Sequence, residues 1–168
     1  MQKAEFWITH LQLQQHPEGG FFRETYRNTG SYDFTGSPLF GAPRSYATAI
    51  HYLLMEGQQS RIHRIQSDEL WFFHTGSPLV VHIFCEQNVN YSSFTLGPEP
   101  VSGHILQASV PAGSWFGACF PESIATDRYA LVSCVVAPGF DFRDFEFAPR
   151  KTLLDTFPLH KSLIERLT

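Results

Sequence analysis

The sequence predicts an all-β domain, an antiparallel sandwich or barrel with one short helix near each end of the chain. Between residues 21 and 137, segments rich in β-branched and aromatic residues recur about every ten residues, and Gly- and Pro-containing turns separate them. Aromatic residues make up 15% of the chain, with 16 Phe, which favours broad sheet faces or a lined cavity over long helices. The length of 168 residues is typical of a single domain, residues 1–168.

The elements are predicted as follows in chain order. Residues 3–14 carry enough apolar positions for a short N-terminal helix, which the turn at residues 16–20 ends. The predicted strands are 21–27, 45–54, 61–65, 69–75, 79–86, 91–96, 104–110, 114–120 and 128–137. An apolar stripe after Pro158 predicts a C-terminal helix packed outside the sheets. The members of this stripe are Leu159, Leu163, Ile164 and Leu167.

Charge and cysteine content exclude several classes of partner. The net charge of −4 leaves no general basic surface for nucleic acid and no polybasic membrane anchor. No apolar run approaches the roughly 20 residues of a membrane span. Cys85, Cys119 and Cys134 show no Cys-x-x-Cys spacing, so we interpret them as buried free thiols of a reducing compartment. We therefore expect a cytoplasmic protein with neither nucleic-acid nor membrane partners.

The most informative segment runs from Gly57 to Gly76. It contains a turn glycine, a strand with His63, a tight turn, a strand that opens with Glu69, and a second turn glycine. Two antiparallel strands would bring His63 and Glu69 onto one interior face. His74 lies an odd number of residues beyond Glu69, and alternation along a strand therefore directs it to the opposite face.

The spacing of Gly57, His63, Glu69 and Gly76 resembles the first signature of the cupin superfamily, in which a second His stands where this chain has Ile65. Residues 111–113, Pro-Ala-Gly, resemble the second cupin signature, whose metal-ligand position is occupied here by Phe116. The resemblance implies a jelly-roll β-sandwich with an internal cavity. It also implies that two of the four usual metal-ligand positions are apolar in this chain.

Longer blocks resemble one branch of that superfamily, the uncharacterised "cupin family 5" proteins of bacteria, fungi and plants. The blocks are residues 16–26, 67–71, 136–146 and 157–168, and the resemblance runs nearly end to end. It implies a homodimer, whose interface would bury outward aromatic residues such as Phe72. It implies no activity, because the family has none that is generally accepted.

The donor set argues against a metal cofactor. A catalytic first-row metal usually has about three protein ligands, and only His63 and Glu69 remain at the family's positions; they would be the ligands if a divalent metal were bound. His51 and His82 lie in other strands, and the sequence does not fix whether either faces the cavity. We expect instead an imidazole–carboxylate pair of His63 and Glu69 in an aromatic pocket, with Arg61 or Tyr side chains as further partners.

Five residues are candidate ligand contacts. Trp71 and Phe73 share the face of Glu69 by alternation, and Phe116 occupies the inward position of its strand in place of its neighbour Trp115. A flat, partly apolar ligand such as an aromatic ring or a nucleobase would suit this lining. Arg61 precedes His63 closely in sequence. Arg23 forms either a salt bridge at the dimer interface or an anion site at the mouth of the cavity.

Other polar residues are interpreted as structural. Gly19-Gly20 serves a tight turn or bulge, and Asp141 and Asp144 act as turn and cap residues.

Three functions compete. The first is the binding of an unidentified small molecule in the cavity without a metal. The second is a metal-independent sugar epimerase or isomerase that uses His63 as general base, because Arg61-Ile62-His63 is similar to the approach to a comparable His in metal-free epimerases of this fold. The third is a metal-dependent oxygenase or isomerase. The sequence leaves open which ligand binds and whether the chain is an enzyme.

Overall fold

Two facing antiparallel sheets form a jelly roll, and short helices cover its outside, so the predicted fold class is confirmed. The computed structural model describes residues 3–122 and 127–168. The helices are α1 (Ala4–His10), α2 (Arg150–Thr156) and α3 (Lys161–Leu167). The strands are β1 (Gln14–Gln15), β2 (Phe21–Arg27), β3 (Ser31–Tyr32), β4 (Arg44–Ser45), β5 (Thr48–Met55), β6 (Ser60–Arg64), β7 (Asp68–Gly76), β8 (Leu79–Cys85), β9 (Asn90–Leu96), β10 (Gln107–Val110), β11 (Trp115–Cys119), β12 (Tyr129–Ala137) and β13 (Glu146–Phe147).

The larger sheet has the strand order β1-β2-β5-β12-β7-β10, and the smaller sheet has the order β13-β6-β11-β8-β9. Every strand pair in these two sheets is antiparallel. The central strand β12 reads as a nearly continuous apolar run because both of its faces are covered, one by the interior and one in part by α1.

Three apolar clusters hold the layers together. The main cluster fills the space between the sheets and includes Trp71, Phe116 and Tyr52. A second cluster lies outside the smaller sheet, where Trp115 packs beneath the C-terminal helices. The third joins α1 to the outer face of the larger sheet at Leu53. Helices therefore cover part of the outer face of each sheet, and the side chains of the main cluster fill part of the space between the sheets.

Three predicted elements differ by more than one residue from the observed ones, and one helix was not predicted. The predicted helix over 3–14 ends at His10, because Gln12 adopts a positive φ of 54° that a helix cannot continue. The predicted strand 45–54 divides into β4 and β5, and the strand predicted at 104–110 begins only at Gln107. Helix α2 was not predicted: Leu153 is its one buried residue, and a single buried position gives no helical period.

The three cysteines are free, with Cys119 and Cys134 buried and Cys85 half-buried. In residues 3–122 and 127–168, no helix is long and apolar enough to cross a membrane.

Candidate functional site

The space between the two sheets holds a partly enclosed cavity of about 320 Å³. This volume lies at the lower end of the roughly 300–1,000 Å³ typical of small-molecule sites. Its lining comes from the loop before β2, from inward positions of five strands, and from the segment after β12. The lining residues are His16, Glu18, Phe22, Glu24, Arg27, Thr48, Ile50, Tyr52, His63, Ile65, Glu69, Cys134, Val136, Phe140, Asp141, Phe142 and Phe145.

The buried end of the cavity is organised around Glu18 and His63. His63 Nε2 lies 3.0 Å from Glu18 Oε2. The other ring nitrogen, Nδ1, lies 2.7 Å from the carbonyl oxygen of Arg61; a carbonyl can only accept, so Nδ1 carries a proton and donates it. The second oxygen of Glu18, Oε1, accepts a hydrogen bond of 2.9 Å from the Ser60 hydroxyl. Both nitrogens of His63 and both oxygens of Glu18 are thus engaged.

This arrangement corrects the expected pair. Within the described residues the ion-pair contact of His63 is with Glu18, and Glu69 forms no ion pair with it. The turn that carries Glu18 is what places it there. Gly19 and Gly20 have φ values of 117° and 71°, and a Cβ on Gly19 would lie 2.1 Å from the Gln59 carbonyl oxygen, so only glycine fits at that position.

His16 reaches Glu18 from the same turn. Its Nδ1 accepts a 3.3 Å hydrogen bond from the Glu18 backbone N–H and lies 3.6 Å from Glu18 Oε2. Burial lowers the pKa of His16 from its ordinary value, although the nearby Glu18 carboxylate opposes the shift. His16 is therefore the neutral tautomer with its proton on Nε2, and it offers one hydrogen-bond donor.

Glu69 lies in the same wall but carries a proton at neutral pH. Burial raises the pKa of Glu69 to about 8, and the negative charge of Glu18 adds to the shift. Its neighbour in this wall is Cys134, whose pKa is also raised well above its ordinary value, mainly by burial. The cavity therefore offers a carboxylic acid, which can donate a hydrogen bond.

The mouth of the cavity is aromatic, and its charges are internally paired. Arg27 forms a 2.6 Å contact with Glu24 and donates a hydrogen bond to the Phe140 carbonyl oxygen at 3.2 Å. Asp141 pairs with Arg143 at 2.6 Å. The ring of Phe142 is 56% exposed at the mouth.

The segment after β12 is fixed in place by a buried ion pair. Arg44 binds Asp144 in a bidentate manner, with N–O distances of 2.6 and 2.5 Å. Phe145 follows directly, and its ring stacks on His63 with centroids 5.1 Å apart. Asp141 accepts a hydrogen bond from the Arg143 backbone N–H, as expected for a cap residue. Asp144 is instead the anchor of the aromatic wall.

The structure places the seven predicted site residues as follows. His63 and Glu69 line the cavity. Phe116 faces inward and packs against His63, with centroids 4.2 Å apart, but it lies in the filled core with Trp71 and Phe73. The alternation of side chains along a strand predicts that these three residues face the interior. It does not predict where along the strand the filled core ends and the cavity begins.

The two arginines lie outside the cavity. Arg61 stacks on Phe147, with its guanidinium carbon 4.1 Å from the ring centroid. Arg23 points outward from the larger sheet and donates hydrogen bonds to the Leu11 carbonyl and to Gln12.

His51 and His82 face away from the cavity, on the outer sides of the two sheets. His51 contacts Ser133, and His82 contacts Tyr91. His74 also contacts Ser133, on the face opposite Glu69 as predicted.

The residues present do not fit a cupin metal ion. Of the four ligand positions, Ile65 and Phe116 carry no donor atom. Both nitrogens of His63 contact other protein atoms, which leaves Glu69 as the remaining donor at these four positions. Among residues 3–122 and 127–168, no group of three or more His, Cys, Asp or Glu side chains is arranged to hold a metal.

A jelly roll of two facing sheets is an architecture that cupins share with capsid and lectin domains. The chain belongs to the family described as Cupin_5, cupin superfamily (DUF985), whose model matches residues 5–148. The predicted family is thereby confirmed.

Three known proteins are similar to this chain over most of their length. The protein SO0799 from Shewanella oneidensis is 35% identical, with 100% of this chain and 98% of that chain covered and a TM-score of 0.86. A hypothetical protein from Leishmania major is 34% identical, with 99% of each chain covered and a TM-score of 0.87. The uncharacterized protein YML079W from Saccharomyces cerevisiae is 29% identical over 148 residues, which cover 83% of this chain and 72% of the yeast protein.

Proposed function

We propose that this cupin binds a small, uncharged molecule with a planar ring in its cavity, without a metal ion. The observation that carries the proposal is the cavity of about 320 Å³ whose buried end gathers Glu18, His63 and Glu69. A ligand there would exchange water for aromatic walls and a few fixed polar groups, the usual composition of a small-molecule site.

The pairing of charges supports an uncharged ligand. Glu18 contacts His63, Arg27 contacts Glu24, and neither pair leaves a net charge for a ligand to neutralise. Burial keeps Glu69 neutral as well. An anionic or cationic ligand would lose its hydration without gaining a free counter-charge, which is unfavourable.

The lining supports a planar ring with hydrogen-bond acceptors. Phe22, Phe140, Phe142 and Phe145 supply aromatic surfaces on which a flat ring can stack. The donors at the buried end are His16 Nε2–H and the Glu69 hydroxyl. A carbonyl oxygen or a ring nitrogen of the ligand would accept from them.

The ligand can be found by thermal-shift screening of planar carbonyl and heteroaromatic compounds, with sugars and charged analogues alongside, in buffer that contains EDTA. At a concentration about 100 times its Kd, a ligand stabilises the native state by about 2.7 kcal/mol. We expect uncharged planar compounds to raise Tm and charged analogues to have no effect.

Two neighbouring valines of β12 provide a matched pair of variants. Val136 lines the cavity, whereas Val135 is half-exposed on the outer face of the same strand. Val136→Phe is expected to block the cavity and remove the ligand-induced rise in Tm, and Val135→Phe is expected to retain it. A rise that survives Val136→Phe would place the ligand elsewhere, and a rise that depends on added metal would contradict the metal-free proposal.

The Glu18–His63 contact favours a second candidate, a metal-independent isomerase. One proton lies between Nε2 and Oε2 in this contact, and Glu69 holds another in the same cavity. A base and an acid facing one ligand are the minimum for moving a proton between two of its atoms. Because both nitrogens of His63 are engaged, the Glu18–His63 pair acts as the base rather than His63 alone.

Deuterium exchange distinguishes the isomerase from a binding protein. A ligand from the screen, incubated with the protein in D₂O, would acquire deuterium at one carbon if the pair acts as a base. Glu18→Gln should then abolish exchange while ligand binding persists. Binding without exchange in the wild-type protein identifies a binding module.

We also propose that the chain forms a homodimer. Phe72 is half-buried on the outer face of the larger sheet, where α1 leaves part of the sheet uncovered. A second copy packed on this face would protect it from solvent. Light scattering is expected to give twice the chain mass of 19.1 kDa at micromolar concentration, and a mass of one chain would refute the dimer.

A further inference from the structure

Two imidazoles meet on the outer face of the larger sheet, on the side opposite the cavity. His51 stands on β5 and His74 on β7, and Ser133 lies between them on β12. The Ser133 hydroxyl oxygen is 3.1 Å from His51 Nδ1 and 2.6 Å from His74 Nε2. One nitrogen of each ring is therefore directed at the same point in space.

The spacing of the rings suits a shared metal ion. Their centroids are 5.9 Å apart, with the ring planes inclined at 83°. Two imidazoles bound to one ion through metal–nitrogen bonds of about 2.1 Å have centroids roughly 5–6 Å apart. The Ser133 hydroxyl occupies the point at which both nitrogens are directed and hydrogen-bonds to each of them. An ion would bind there after the Ser133 side chain rotates away, exchanging these two hydrogen bonds for two metal–nitrogen bonds, with water completing its coordination.

The charge state of both rings is compatible with metal binding. Burial lowers the pKa of His51 and of His74 from their ordinary values, so both are neutral at pH 7 and keep a lone pair. The opposing charge on this face is Arg23, which also lowers the pKa of His51. Two hydrogen bonds hold Arg23 toward the end of α1, and its positive charge opposes the binding of a cation.

We propose that His51 and His74 together bind one first-row divalent metal ion of the kind that favours imidazole, for which Zn²⁺ is the probe. Imidazole ligands suit Zn, Cu, Fe and Ni, whereas Ca²⁺ and Mg²⁺ prefer oxygen. The site is separate from the cupin ligand positions, because it lies on the opposite face of the larger sheet. It is independent of the function proposed for the cavity.

Calorimetric titration of the untagged protein with ZnCl₂ tests the proposal. Ser133 is the register partner of Phe72, so the site shares the face proposed for the dimer, and the titration is run at a dilution at which light scattering gives the mass of one chain. We expect one Zn²⁺ per chain with micromolar Kd and no binding of Mg²⁺. Loss of a partner outside the first ligand shell already weakens metal sites by roughly tenfold or more. His51→Gln and His74→Gln, which each remove a direct ligand, should weaken Zn²⁺ binding by at least that factor.

His10→Gln, at an exposed histidine on α1, is the control and should leave Zn²⁺ binding unchanged.

Nitrogen NMR of the histidine rings provides a second readout that does not depend on stability. Zn²⁺ should shift the ring signals of His51 and His74 and leave those of His16 and His63 in place. The proposal is overturned if no saturable binding occurs, if binding survives both glutamine variants, or if His63→Ala removes it.

Discussion

Glu69→Gln is expected to gain stability relative to the wild-type protein as pH rises from about 4.5 to 8, because it lacks the loss that the titration of Glu69 causes in the wild type. Burial raises the pKa of Glu69 from 4.5 to about 8 in the folded chain. In that range the folded protein holds a proton on Glu69 and the unfolded chain does not. The contribution of Glu69 to the free energy of unfolding is therefore fully present below about pH 4.5, falls as pH rises, and is lost above about pH 8.

The amount lost is on the order of a few kcal/mol, since each unit of pKa shift corresponds to about 1.4 kcal/mol. Glutamine keeps the size and a hydrogen-bond donor but does not titrate. Urea denaturation at several pH values would measure the difference between variant and wild type. Burial lowers the pKa of His82 to about 4, so the contribution of His82 to stability rises with pH between about 4 and its ordinary pKa of 6.5. Both proteins contain His82, and its contribution therefore cancels when the stability of the variant is compared with that of the wild type.

Glu99→Gln, at an exposed glutamate, is the matched control and should leave the pH profile unchanged. Parallel profiles for Glu69→Gln and the wild type would show that Glu69 is ionised in the folded protein at neutral pH. The cavity would then contain a fixed negative charge, and the argument for an uncharged ligand would fail.

Asp144→Asn is expected to destabilise the protein by about 3–5 kcal/mol, because it leaves the Arg44 guanidinium buried without its counter-charge. The side chains of Arg44 and Asp144 are only 2% and 7% exposed. The same change frees the segment that carries Phe140 and Phe145 into the cavity wall. Ligand affinity should therefore fall together with stability, and the denaturation midpoint should shift without a change in slope.

The exposed pair Lys151–Asp155 provides the control. Its side chains are 89% and 65% exposed, so solvent screens the pair and Asp155→Asn should leave the denaturation midpoint nearly unchanged. If Asp144→Asn shifted the midpoint no more than Asp155→Asn does, the Arg44–Asp144 pair would not anchor the aromatic wall.

The fold was predictable because its signals are local. Strand periodicity and turn residues lie within ten or so positions of each other, and the parity of residues along β7 placed Glu69 and His74 on opposite faces. The same parity put His63 and Glu69 in the interior. These assignments need only the geometry of single strands and one hairpin.

The partner of His63 was not predictable in the same way. Glu18 lies 42 residues before Ser60, with which it shares a hydrogen bond, and it reaches the cavity only because the glycine turn passes close to Gln59. An acid next to two glycines was the available signal, but a turn explains that pattern equally well. Arg44 and Asp144 are 100 residues apart, and nothing local joins them.

The proposal that the cavity functions without a metal ion is tested most directly by methyl NMR in the presence of Mn²⁺, a paramagnetic ion that broadens nearby signals. Ile65 lines the cavity, whereas Ile164 is buried beneath the C-terminal helices and serves as the internal reference. The experiment uses the His51→Gln, His74→Gln double variant, so that an ion on the outer face does not contribute. We expect that one equivalent of Mn²⁺ leaves the Ile65 signal as intense as that of Ile164. Selective broadening of Ile65 that disappears in His63→Ala would contradict it and would place a metal ion at the cupin position.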